Sequence, residues 1–166
     1  MSARRTVVLE LTRMEAAHLA GLVTQFAELL EDADSAGGDP AIARLVPDAY
    51  AGDAAAAREF RELTESDLLE RRRQDAGIVL STLSAAAALP EDVAADDAVL
   101  MELVELALDP ETVQAWLRCL AAIRLVLATR LEIRSEDDHD VEDPRFGIYE
   151  WLGYRLDGIV QAASED

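Results

Sequence analysis

The stretch Asp109–Leu131, DPETVQAWLRCLAAIRLVLATRL, constrains this chain more than any other. Asp109 offers a carboxylate to the first free backbone N–H groups of a helix. Pro110 follows at the first helical position, where its missing donor is not needed. Glu111 puts negative charge at the positive end of the helix dipole, and Arg130 and Arg134 put positive charge near the other end. Val113, Trp116, Leu117, Leu120, Ile123, Leu127 and Leu131 recur at spacings of three and four, which places them on one face. An apolar face of that length must be covered, so the other segments are expected to pack around this helix.

Arg124 interrupts the face. Leu120, Ala121, Leu127 and Ala128, its neighbours along the helix, carry no charge. A buried arginine without a counter-charge is too costly to keep, so its partner must come from another segment. The favoured reading is a structural ion pair with Asp75, with Asp67 the second choice; a head that reaches the surface is the other structural reading. The sharper alternative is an anion or partner site, and the pattern shows no second cation converging on it.

The remainder of the chain supports a mainly α-helical single domain, residues 1–166: a bundle of five or six helices with a short N-terminal β-strand. Thr6–Leu11 alternates as a strand does. No strong second strand stands out, and Ala43–Val46 and Leu131–Arg134 are weak candidates. Thr12 and Glu15 have capping-box spacing at the start of a helix whose buried face is Leu19, Leu22, Val23, Phe26, Leu29 and Leu30; His18 sits at its edge. Asp53 starts another helix. Thr64 suggests a break, with a new helix over Glu65–Ala88 burying Leu68, Leu69, Ala76, Val79, Leu80 and Leu83. Ala98–Leu108 reads as a short helix with Leu100, Leu103, Val104 and Ala107 inward. Asp143 and Pro144 open the last helix, which buries Ile148, Tyr149, Leu152, Leu156, Ile159 and Val160.

Charge excludes one class of function. The formal net charge is −19, from 34 acidic and 15 basic side chains in 166 residues. Such a field repels nucleic-acid phosphates and anionic lipids and suits basic protein partners. Arg71, Arg72 and Arg73 form the only dense basic run, but Glu65, Asp67, Glu70 and Asp75 surround it, and Asp75 also stands in reach of Arg72. A solvated helix face is the reading, not a nucleic-acid site. The N-terminus lacks the apolar core of a signal peptide, and the central apolar run, cut by Arg124, is short for a membrane span. A cytoplasmic protein is expected.

No Gly-rich phosphate loop, nucleophile elbow or zinc-helix motif occurs, so an enzyme is not expected and no cofactor or metal is assigned. The alternative is a metal-dependent hydrolase built on Asp137, Asp138, His139, Asp140 and Glu142 in the acidic 136–143 loop. Counted from Asp138, Asp143 falls where an EF-hand needs Gly and Tyr149 where it needs Glu, which argues against calcium. The one cysteine, Cys119, excludes an intramolecular disulfide and a cysteine-based zinc site. Arg118 beside it would favour a thiolate, whereas its apolar neighbours make it a packing residue.

The last helix carries a second stripe. Gly147, Trp151, Tyr154 and Gly158 follow at spacings of four, three and four. Two large aromatics bracketed by glycines form a candidate interface for a neighbouring helix or a homodimer partner. The competing reading lays both rings over the domain's own N-terminal strand.

FRELTESDLLERRRQDAGIVL (Phe60–Leu80), AWLRCLAAIRLVLATRL (Ala115–Leu131) and the late YEWLGYRLDGIV segment resemble the actinobacterial family of AosR-like oxidative-stress regulators, often encoded beside the adaptor ClpS. The resemblance implies redox-sensitive transcriptional regulation through protein–protein contact with a sigma factor or the transcription machinery. It also implies a pair of cysteines separated by three residues. This chain departs from that pattern, because Ala115 and Ile123 stand four residues either side of Cys119. A mixed or intersubunit disulfide is the redox chemistry left to Cys119.

Overall fold

The computed structural model describes residues 5–33, 39–46, 52–89, 92, 94, 97–134 and 142–165, without the side chains of residues 57, 61 and 62. In chain order the elements are β1 (Val7–Thr12), α1 (Arg13–Glu31), α2 (Pro40–Leu45), α3 (Ala54–Ala87), a 3-10 turn (Ala98–Met101), β2 (Leu103–Leu108), α4 (Pro110–Arg130), a second 3-10 turn (Pro144–Phe146) and α5 (Gly147–Ser164). The fold is mainly α-helical, with one two-stranded antiparallel sheet.

The N-terminal strand finds its partner where a helix was expected. β1 pairs antiparallel with β2, Val7 opposite Leu108 and Thr12 opposite Leu103. Leu, Ala and Glu in LVELAL are helix formers, but six residues make a weak helix and the open β1 edge offers a complete set of backbone partners. Leu106 and Leu108 turn inward, whereas Leu103, expected to be buried, is 63% exposed. Arg13 locks the end of the sheet: its N–H donates to Glu102 O at 3.0 Å and its Nε to the Glu102 carboxylate at 2.9 Å. Neither weak strand candidate is a strand, since Ala43–Leu45 lies in α2 and residues 131–134 form the turn that ends α4.

The capping box at Thr12 is formed in both directions, Glu15 N to Thr12 Oγ1 at 3.1 Å and Thr12 N to Glu15 Oε2 at 3.3 Å. α1 then buries Leu19, Val23, Phe26 and Leu30 against α3. α3 does not break at Thr64. The hydroxyl there donates back to Phe60 O at 2.9 Å, the mid-helix use of a threonine rather than its capping use. The helix runs 34 residues. None of its described side chains before Leu69 is buried; from Leu69 onward it buries Ala76, Val79, Leu83 and Ala86.

α4 occupies the middle, packed against α3, α5 and α2. Asp109 caps it, Oδ1 accepting from Thr112 N at 2.8 Å, with Pro110 next. Its buried side is wider than the apolar stripe alone: Ala115, Cys119 and Ala122 join Val113, Trp116, Leu120 and Ile123. By length and composition α4 could cross a membrane, but the domain's own helices cover these side chains. Asp39 caps α2 and holds it onto α4 through Arg130, whose two Nη groups donate to the carboxylate at 2.9 and 2.7 Å. α5 closes the opposite side, with Tyr149, Leu152 and Ile159 buried. Ile148 and Val160, expected inside, are exposed.

Candidate functional site

The aromatic stripe on α5 is divided between two depressions. Gly147 and Trp151, with Ile148, form one wall of an open groove of about 630 Å³; Met14, Ala17 and Leu22 of α1 form the other. Trp151 is half-buried and packs onto the main core, while Ile148 is 50% exposed at the rim. His18 lies on the exposed side of α1 and faces the same groove. Tyr154 and Gly158 belong to a second depression beside Leu9 of β1, and Tyr154 is 69% exposed. Each ring thus lies near a different part of the domain, Trp151 by α1 and Tyr154 by β1.

Arg155 stands between the two depressions. Its Nη2 donates to Glu15 and its Nη1 to Glu10 O at 3.3 Å, so one side chain of α5 ties down both the capping box and β1. The glycines are not notches for a partner helix. A Cβ at Gly147 or Gly158 would meet nothing within 4 Å. The close approach is at Gly153, where a Cβ would come within 2.7 Å of Arg124 Nη2. Spacing alone does not single out Gly153 from the others on α5.

Arg124 does not pair with Asp75 or Asp67. Its Nε donates to Tyr149 O at 3.2 Å and its guanidinium lies 4.0 Å from the centroid of the Tyr149 ring. The cause is helical phase. Six residues carry the chain roughly 240° around the axis, so Arg118 faces α3 when Arg124 faces α5. Arg118 takes the buried carboxylate, Nε and Nη2 donating to Asp75 at 3.0 and 2.9 Å. Of the basic run on α3, Arg73 pairs with Glu70 at 3.0 Å and donates to Leu30 O at 2.8 Å, closing the end of α1. Arg71 is exposed.

Cys119 is 1% exposed, inside the core between α3 and α4. Burial, reinforced by the nearby Asp75 charge, pushes its thiol up to about 12, and Arg72 offsets this only in part. The thiol is therefore protonated at neutral pH and shielded, the reverse of a reactive cysteine. Most of the acidic segment proposed for a metal, including Asp137, Asp138, His139 and Asp140, lies outside the described residues. Asp143 serves structure: it caps the second 3-10 turn through Arg145 N at 3.0 Å and pairs with the Arg145 guanidinium at 2.7 Å. Among the described residues no three His, Cys, Asp or Glu side chains are gathered to hold a metal ion.

No curated protein and no solved structure matches this chain. A family model described as a domain of unknown function, DUF2017, matches residues 1–163. The chain accordingly belongs to the DUF2017 family.

Proposed function

We propose that this protein is a non-enzymatic regulator that acts by binding another protein in the groove between α1 and α5. The observation that carries this is the open apolar groove itself, with Trp151 in its wall and Ile148 at its rim. Two helices that leave a trough between them accept a third, and an amphipathic helix lays its apolar side into such a trough. The surrounding net charge of −19 selects a helix with a basic outer face and speeds its encounter. In this reading the protein works in the cytoplasm, and its partner is a sigma factor or another part of the transcription machinery. That last step rests on the resemblance to the AosR-like oxidative-stress regulators. A disulfide switch like theirs is not part of the proposal, because the second cysteine is absent and Cys119 is buried.

The test is a pull-down with identification of the bound proteins, comparing the wild type with Ile148→Asp and with Trp151→Ala. A transcription protein retained by the wild type and released by both variants is the expected result. Retention by both variants would remove the groove from the account. Light scattering of the free protein separates the competing homodimer: a dimer that Ile148→Asp converts to a monomer would assign the groove to a second copy of the chain.

A further inference from the structure

A cavity of about 290 Å³ lies on another flank of α5, and its walls reverse the character of the molecule. Arg44, Arg124 and Arg134 line it together with Leu125, Ile133 and Leu156. None of its described lining residues is acidic, in a chain that carries 34 acidic side chains and 15 basic ones. Arg134 has a partner of its own, so the positive charge facing the cavity is that of Arg124 and Arg44, and an anion entering it would meet that charge.

Arg124 is the best-anchored of the three. Its Nε is held by Tyr149 O, the Tyr149 ring lies against the flat of the guanidinium, and the absence of a side chain at Gly153 makes room for it. Among the described residues its two Nη groups have no hydrogen-bond partner, so a planar pair of donors remains for an acceptor. Arg44 is steadied from the α2 side, its Nη1 donating to Thr129 Oγ1 at 3.2 Å. The rest of the wall is aliphatic. An anionic head paired with Arg124 and a short hydrocarbon body against Leu125, Ile133 and Leu156 match that division.

We infer that this cavity binds a small organic oxyanion, a carboxylate or phosphate head on an aliphatic body of a few carbons. The inference is independent of the α1–α5 groove, which shares none of these residues.

Calorimetric titration of the full chain at low ionic strength, with hexanoate, hexyl phosphate and inorganic phosphate, tests it. One site per chain is expected, with hexanoate or hexyl phosphate at least ten-fold tighter than inorganic phosphate. The tighter of the two identifies the head group. Arg124→Gln should weaken binding at least ten-fold, and so should Gly153→Ala, which pushes the guanidinium off its seat. Arg44→Gln, at an exposed position that leaves the core intact, should weaken it as well, and Arg13→Gln at the far sheet should not. Circular dichroism confirms that each variant is folded. Absence of saturable binding, equal binding of inorganic phosphate, or binding unchanged in folded Arg124→Gln and Arg44→Gln would overturn the inference.

Discussion

Arg118 on α4 forms a two-pronged ion pair with Asp75 on α3, and the two partners are unequally placed: the arginine side chain is 53% exposed and the aspartate side chain 9%. Removing one partner is therefore not equivalent to removing the other. Arg118→Ala strands a carboxylate in the core, which costs about 3 kcal/mol. Asp75→Asn leaves a solvated arginine and a neutral amide, and should cost about 1 kcal/mol. Urea unfolding of the two variants measures the difference. Equal losses would mean that water reaches Asp75.

The pairing also marks where sequence reading stopped. The caps at Thr12 with Glu15 and at Asp109 with Pro110 were legible because each acts within one helical turn. Asp143, expected to cap the last helix, instead caps the 3-10 turn ahead of α5, which begins at Gly147 with no side-chain cap. Spacing located the core faces of α1 and α4 only in part: Leu22, Leu29, Leu117 and Leu127 are half-buried at their edges, and Ala115, Cys119 and Ala122 are buried beside the expected stripe of α4. Which arginine of α4 meets Asp75 depends on how α4 is rotated against α3, a property of two helices at once. The strand β2 was hidden because its residues favour helix and only the distant β1 overrules them. Gly153 was hidden because its neighbour in space, Arg124, belongs to another helix.

Cys119 should be unreactive in the folded protein. Its thiol, pushed up to about 12 by burial, supplies almost no thiolate at pH 8. A chromogenic disulfide reagent should therefore label it far more slowly in the native state than in urea, and brief peroxide treatment should leave it reduced. Rapid native labelling would show that the core between α3 and α4 opens readily. It would return the thiol to consideration as a redox sensor.

Acid should loosen α2. Arg130 holds the Asp39 carboxyl below its ordinary value of 3.8, first through the hydrogen bond between their side chains. A carboxylate depressed in the folded state stabilises that state above its unfolded pKa, and the contribution disappears as pH falls through the folded value. The window is thus below about pH 4. In that window the wild type should lose thermal stability more steeply than Arg130→Gln, which lacks the pair at every pH. Parallel curves for the two proteins would show that solvent screens the pair fully.

The end of α4 offers a stabilising substitution. Ile133 N donates to Ala128 O at 2.8 Å and Glu132 N to Thr129 O at 3.3 Å, the two bonds of a Schellman cap, and Ile133 and Ala128 share a small apolar cluster with Phe146 and Tyr149. The motif requires a left-handed residue between them, and Glu132 supplies it at φ 59°. A side chain in that conformation is strained, whereas glycine adopts it freely. Against this, glycine adds freedom to the unfolded chain, which offsets part of the gain. Glu132→Gly should still raise stability by about 0.5–1 kcal/mol, read as a higher unfolding temperature. Glu132→Val should lower it, because a β-branched side chain tolerates positive φ least. If Glu132→Gly destabilises the protein instead, the Glu132 side chain makes a contact that outweighs its backbone strain.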